Sequence, residues 1–290
     1  MGAKMNQDFR NDGPRKVGHV KEVTSLANPI IKDIKALTNK KSREKSGAFL
    51  AEGLKLVIDA LELGWTIRTL VYAKAAKGKP LVEQVAAKTV AAGGLVLEVS
   101  EKVIASITRR DNPQMVVGIF DQRWRQLRDV KPKSGETWVA LDRVRDPGNL
   151  GTIIRTSDAA GASGVILVGE TTDPFSLETV RATMGSVFAV PVVKATPEEF
   201  LAWKRTAGVS VVATHLAGAV DYRTIDYKKK PVVLLMGNEQ SGLPDALAKE
   251  ADALARIPQA GRADSLNLAV ATAVMLFEAR RHLLTLSETR

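Results

Sequence analysis

Two α/β domains in tandem, the second built on a mostly parallel sheet, are what this sequence predicts. Three observations lead there. Its 290 residues are a length that favours two domains. Short β-branched runs alternate with segments of helical period along most of the chain. A polar stretch bearing proline and glycine but no clear period, DQRWRQLRDVKPKSGE, divides that alternation in two.

The elements follow in order. MGAKMNQDFRNDGPRKVGH has no apolar core of the signal-peptide kind and reads as a disordered polar leader over residues 1–20. A first domain is expected over 21–122. In NPIIKDIKALTN the apolar residues at 30, 31, 34 and 37 have helical spacing. AFLAEGLKLVIDALELG sets Phe49, Leu50, Leu54, Val57 and Leu61 on one helical stripe and stops at Gly64, a C-cap. TLVYA is a strand. PLVEQVAAKTVAAGG opens on proline and closes on glycines, as a helix does. LVLEVS, EKVIASIT and QMVVGIF then read as strand, helix and strand, and a linker over 123–136 follows.

The second domain is expected over 137–290. TWVALD, GVILVG, FAVPVVK, VSVVATHL, PVVLLMG and ALARIP are short apolar runs of the kind found in parallel sheets covered on both faces. Helices are read at DPGNLGTIIRTSDAAG, SLETVRATMGS and PEEFLAWKRTAG, and a long one at SLNLAVATAVMLFEARRHLLTL. On that last helix Leu268, Ala271, Met275 and Ala279 form one stripe and Val270, Val274, Phe277 and Arg281 another. A helix apolar over so much of its girth belongs to a core or an interface.

Composition excludes several chemistries. With no cysteine there are no disulfides, thiolate zinc sites, iron–sulfur clusters or cysteine nucleophiles. No apolar run approaches the roughly 20 residues of a spanning helix, so no membrane is expected, and a cytoplasmic location is. The net charge of +10 is lopsided: residues 1–136 hold 25 Lys+Arg against 15 Asp+Glu, and residues 137–290 hold 17 of each. The densest basic segment, KDIKALTNKKSREK, contributes Lys32, Lys35, Lys40, Lys41, Arg43 and Lys45. A field so concentrated favours nucleic acid over a solvated helix face.

Three strand-to-helix loops carry unusual polar content, at the strand ends where open parallel sheets bind ligands. The first is Asp146-Pro147-Gly148-Asn149-Leu150-Gly151, with Arg155 after it; it fits neither the G-x-x-x-x-G-K-[ST] nor the G-x-G-x-x-G fingerprint. The second is Gly237-Asn238-Glu239-Gln240-Ser241-Gly242. The third runs from Ile257-Pro258 to Ser265-Leu266-Asn267. Singly each has a plain reading as a helix cap or dipole partner.

Together, LDRVRDPGNLGTIIRTSDAAGASGVILV, VVLLMGNEQSGLP and ARIPQAGRADSLNLAVATAVMLFEARR resemble the three motifs of the SpoU family of RNA ribose 2′-O-methyltransferases, within the SPOUT superfamily. FLAEGLKLVIDALELGWTIRTLVYA looks like that family's small substrate-binding domain, itself similar to ribosomal protein L30e. The resemblance implies a C-terminal SPOUT domain with a parallel sheet and a deep trefoil knot, preceded by a small α/β L30e-like domain that grips RNA. It implies S-adenosylmethionine as cofactor, bent in the knot and held by Gly237, Ile257 and Leu266, with Thr214, His215 and Leu216 also lining the pocket. By the same resemblance Arg155, Asn149, Glu239, Ser265 and Asn267 are the catalytic set. A guanidinium does not readily become a base, so Arg155 is read as a fork on the flanking phosphate that also stabilises the developing alkoxide. Glu239 is read as orienting Arg155 or the substrate, or as removing the proton. Ser265 and Asn267 are read as fixing the last loop and the surroundings of Arg155. Two departures stand out: Ala269 where the family often has serine, and Gln259 where methionine is common. The family is dimeric, so a homodimer through the C-terminal domain is expected, with no metal.

Ribosomal RNA, of the 23S type, is favoured over transfer RNA as substrate because a separate L30e-like domain accompanies the knot; that is analogy. Two rivals remain. One is a non-catalytic RNA-binding protein on the same scaffold. The other is a hydrolase, against which stand three histidines in unrelated contexts (His19, His215 and His282) and the absence of G-x-S-x-G and H-E-x-x-H.

Overall fold

A computed structural model describes residues 18–215, 219–262 and 265–286. Its first unit runs β1 (His19–Val23), α1 (Pro29–Ala36), α2 (Lys40–Ser46), β2 (Ala48–Glu52), α3 (Leu54–Glu62), β3 (Ile67–Ala73), α4 (Pro80–Ala91), β4 (Leu95–Val99), α5 (Glu101–Thr108) and β5 (Val116–Asp121). The strands form a mixed sheet in the order β1-β4-β3-β5-β2. β1, β4 and β3 are parallel; β5 is antiparallel to both of its neighbours.

Sequence and structure differ in three places here. The helix expected from Phe49 begins only at Leu54. Residues 48–52 are all buried and form β2, and an apolar run buried on both faces has no period to separate strand from helix. Gly53, at φ 106°, makes the turn between them in a conformation that side chains disfavour. β1 begins at His19, inside the expected leader. The basic segment is split between two helices: Lys32 and Lys35 lie on α1, and Lys40, Lys41, Arg43 and Lys45 on α2, which is capped by Asn39, whose side chain accepts from Lys41 N–H at 2.9 Å.

The second unit runs β6 (Trp124–Arg125), β7 (Thr137–Asp142), α6 (Pro147–Ala159), β8 (Gly164–Val168), α7 (Leu177–Thr183), β9 (Val192–Ala195), α8 (Pro197–Ala207), β10 (Ser210–Thr214), β11 (Val220–Asp221), β12 (Val232–Met236), α9 (Asp245–Lys249), β13 (Ala253–Arg256) and α10 (Leu268–Arg280). Every pairing of its sheet, ordered β11-β13-β10-β12-β7-β8-β9-β6, is parallel. The expected linker contributes β6 to one edge through two residues beside β9. Helices cover both faces, so the central strands are buried throughout.

The two units share a core. Phe175, Val180, Val187 and Phe188 of the second pack with Phe49, Trp65 and Phe120 of the first. Trp65 Nε1 donates to the Phe188 carbonyl at 2.8 Å. Arg181 of α7 donates to both Glu52 oxygens at 3.1 and 2.7 Å and to the Thr108 carbonyl at 2.6 Å. On α10, Leu268, Ala269, Thr272, Met275, Leu276 and Ala279 are buried, whereas Val270 and Phe277 face solvent. Among the described residues no helix is long and apolar enough to cross a membrane.

Candidate active site

Strands β7, β10, β12 and β13 lie side by side and end at the same edge because they are parallel. The loops leaving β7, β12 and β13 therefore meet there, bringing together residues about a hundred positions apart. Between them lies a cavity of about 1060 Å³, lined by Arg145, Asp146, Asn149, Thr214, His215, Met236 to Leu243, Ala255 to Ile257, Gln259, Ser265 to Leu268 and Ala271.

The first loop is shaped by Asp146, which caps α6 by accepting from Asn149 N–H at 2.6 Å. That fixes Asn149 at the cavity wall. Its side chain is used at both ends: Nδ2 donates to Glu239 Oε1 at 3.3 Å, and Oδ1 accepts from Asn267 Nδ2 at 2.9 Å. One residue from each loop is thus joined in a single hydrogen-bonded row. Asn267 also caps α10, its Oδ1 accepting from Ala269 N–H at 2.9 Å and Val270 N–H at 3.3 Å. Glu239 Oε2 makes no hydrogen bond with another described residue.

The second loop closes on itself. Asn238 exchanges backbone bonds with Gly242 at 3.0 Å, while its Oδ1 accepts from the Gln240 and Ser241 N–H groups at 2.9 and 3.1 Å. Its Nδ2 donates to the Arg143 carbonyl at 2.7 Å, tying the second loop to the first. Gly237 has no room for a side chain: a Cβ there meets Leu243 N at 2.5 Å and the Gly242 carbonyl carbon at 2.6 Å. Asp142, at the end of β7, is 1% exposed. Burial raises its carboxyl above the ordinary value, while the Arg143 guanidinium, 2.8 Å away, pulls it back.

Most of the expected site residues gather here. Asn149, Glu239, Ser265 and Asn267 line the cavity, as do Gly237, Ile257, Leu266, Thr214 and His215. His215 N–H also donates to the Ala255 carbonyl at 3.1 Å, joining β10 to β13. Leu216 lies outside the described residues. Arg155 does not line this cavity. It is exposed on α6, and its guanidinium makes no hydrogen bond or ion pair with another described residue. In this chain the hydrogen-bond partner of Glu239 among the described residues is Asn149, and Arg155 is not one. The same holds for the hydrogen bonds of Asn267, which reach Asn149 and α10.

Lys32, Lys40, Lys41 and Lys45 are exposed and Lys35 is half-buried. Arg43 stands apart from them: at 3% exposure its guanidinium is turned inward and ion-paired with Asp173. The sequence reading missed Arg145 and Arg256, and gave no role to Asn238, which it placed in the second loop. Arg145 and Arg256 put two charged side chains on the cavity wall, and neither is paired with a described residue. The Arg-Val-Arg pattern around buried Val144 was the available signal for the first. Among the described residues no group of three or more His, Asp or Glu is placed to hold a metal.

Comparison with known proteins agrees with this geometry. The model of the SpoU rRNA Methylase family matches residues 136–277, and that of the MRM3-like substrate binding domain matches residues 28–118. The 23S rRNA (guanosine(2553)-2′-O)-methyltransferase of Bacillus subtilis is 31% identical, the match covering 90% of this chain and all of that one. The 23S rRNA (uridine(2479)-2′-O)-methyltransferase of Streptomyces viridochromogenes is 34% identical, over 84% of this chain and 86% of the other. An rRNA methyltransferase from Sinorhizobium meliloti, also solved with AdoMet bound, is 77% identical, with a TM-score of 0.88 over 92% of this chain and 99% of that one.

Proposed function

The chain belongs to the SpoU rRNA methylase family, and we propose that it methylates a ribose 2′-hydroxyl in ribosomal RNA of the 23S type, using S-adenosylmethionine. The observation that carries this reading is the row Asn267–Asn149–Glu239, which joins three distant loops at the wall of one cavity.

The cavity suits the cofactor. Gly237 lets the second loop fold back tightly on Gly242 and Leu243 where a Cβ would not fit, Met236, Leu243 and Leu268 supply an apolar wall, and Asn149, Glu239 and Asn267 stand beside it as polar partners. Gly237, Ile257 and Leu266 would hold the cofactor, with Thr214 and His215 beside them. Bound there, S-adenosylmethionine supplies an electrophilic methyl group on a sulfonium sulfur. The chain's own residues then orient the ribose and take its proton. Asn149 is locked by two partners and so holds Glu239 in a fixed position. Glu239 Oε2 accepts the 2′-hydroxyl proton. Arg155, standing outside its own protomer's cavity, acts as a fork on the flanking phosphate of RNA crossing the exposed face of α6.

Lys32, Lys35, Lys40, Lys41 and Lys45 form the RNA-gripping surface of the first domain. The trefoil knot belongs to this reading, as do two domains that divide near residue 122, the first opening with β1 at His19 and the second taking in β6 from the expected linker. So does a homodimer: Val270 and Phe277 of α10, 50% and 46% exposed, are apolar surface that a second copy would cover. A cytoplasmic location follows from the substrate. The test is transfer of label from S-adenosylmethionine to unmodified bacterial RNA, resolved into ribosomal and transfer fractions. Label confined to ribosomal RNA is expected. Cofactor binding without label in any RNA or ribosomal precursor would leave the non-catalytic RNA-binding reading.

A further inference from the structure

RNA held by this protein must touch both the basic cluster of the first domain and the loops of the second, so their offset matters. Arg43 lies within that cluster yet is withdrawn from solvent. Its Nε and Nη2 reach Asp173 Oδ2 at 2.8 and 2.6 Å, and Nη1 donates to the Leu37 carbonyl at 2.8 Å. Asp173, itself 10% exposed, sits in the loop between β8 and α7. Its Oδ1 accepts from Phe175 N–H at 2.8 Å, so its position is set independently of Arg43. The preceding residue, Thr172, donates its N–H to the Val144 carbonyl at 2.7 Å. Val144 is fully buried between Arg143, whose carbonyl is held by Asn238, and Arg145 on the cavity wall. An unbroken run of short bonds therefore leads from the middle of α2 to the methyl-transfer loops.

A buried ion pair is weak evidence for stability, because desolvation offsets attraction; its better-attested use is to fix register. We infer that the Arg43–Asp173 pair is a positioning device that pins α2, with Lys40, Lys41 and Lys45 exposed on it, at a fixed offset from the catalytic loops. Arg43 and Asp173 are thus positioning residues and do not themselves touch RNA. This rests on the methyltransferase reading for its kinetic consequence, but the pin itself is a structural claim.

Two measurements test it. In Asp173→Asn the side-chain oxygen still accepts from Phe175 N–H, but the charge is gone. The double variant Arg43→Met with Asp173→Asn leaves no unpaired buried charge and serves if the single variant fails to fold. With a 23S rRNA transcript, KM for RNA is expected to rise about tenfold, while kcat and the S-adenosylmethionine Kd stay within about twofold. The pair Lys41→Ala and Lys45→Ala should raise KM several-fold in the parent and by clearly less in the unpinned background, since residues acting through one geometry are not additive. Unchanged KM, or lysine effects of full size in both backgrounds, overturns the proposal. Because the chain has no cysteine, spin labels at Glu44→Cys and Glu170→Cys can report the offset directly. A narrow distance distribution in the parent that broadens or shifts in the variants is expected; identical distributions overturn the pin. If the parent methylates no RNA, the methyltransferase reading fails, and these distances still decide the pin.

Discussion

Asn267 has two duties that one pair of substitutions separates. Its Oδ1 caps α10 through two backbone N–H groups, and its Nδ2 holds Asn149. Asn267→Ala removes both. Losing the cap costs about 1 kcal/mol, and losing the side-chain bond adds at most about 1 kcal/mol, near the low end because the residue is exposed. For a chain of this size the sum lowers Tm by roughly 2–3 °C. Asn267→Asp keeps both cap acceptors and places a negative charge at a helix N-terminus, which is favourable by about 0.3–1 kcal/mol. It loses the donor, however, and sets a carboxylate against Asn149 Oδ1. If Asn149 turns its amide to meet that carboxylate, its bond to Glu239 is lost; either way the row is broken. Thermal unfolding and turnover at saturating RNA and cofactor read the two duties apart. The Asp variant should melt within about 1 °C of the parent yet lose at least about tenfold in kcat, near 1.4 kcal/mol of transition-state stabilisation. Parental kcat in Asn267→Asp would refute the claim that the row orients the reacting groups. Parental Tm in Asn267→Ala would refute the cap.

Gly237→Ala forces a Cβ onto the backbone of Gly242 and Leu243, which have no flexible end to yield; by calorimetry S-adenosylmethionine should bind about tenfold or more weakly, as a local strain of about 1–3 kcal/mol implies. Glu239→Gln keeps the acceptor for Asn149 but removes the base, so single-turnover rates should fall by about 10²-fold or more with cofactor affinity retained. The Asp142 carboxyl is raised in the fold, so between its ordinary value near 3.9 and that raised value the folded state binds more protons than the unfolded one. Stability from this residue is therefore lost as pH rises through that window. The Tm of Asp142→Asn relative to the parent should climb from about pH 4 upward and then level off, and a flat difference would contradict it. If the proposed dimer forms through α10, Phe277→Glu on its exposed face should convert a dimeric parent to monomer in sedimentation; a monomeric parent, or an unchanged dimer mass, would refute that interface.

Much of the second domain was legible because its signals are local. The β-branched strands have lengths that helices do not, and polar turns open the helices between them, although the residues that cap α6 and α10, Asp146 and Asn267, were not themselves singled out as caps. The meeting of Asn149, Glu239 and Asn267 was not visible in composition or period. It depends on strand order, which only the resemblance of three motifs taken together supplied. Where the reading failed, burial had reversed a local rule. The apolar stripe from Phe49 to Leu61 is half strand because both faces of β2 are covered. Arg43 looks like its neighbouring lysines in sequence, and only Asp173, contributed by the other domain, turns it inward. The polar stretch after Phe120 has no period because β6 pairs through two residues only. Arg145 escaped notice because an exposed arginine beside a loop is ordinary until the loops from β12 and β13 close the cavity around it.

The central claim is that the cavity between these loops serves methyl transfer to a ribose oxygen. Mass spectrometry of a nuclease digest of unmodified 23S rRNA, after incubation with the protein and S-adenosylmethionine, tests it most directly. The account predicts one 2′-O-methylated nucleotide, resistant to alkaline cleavage, that is absent when Glu239→Gln replaces the parent. A methyl group on a base, or the same ribose product from Glu239→Gln at the parental rate, would contradict it.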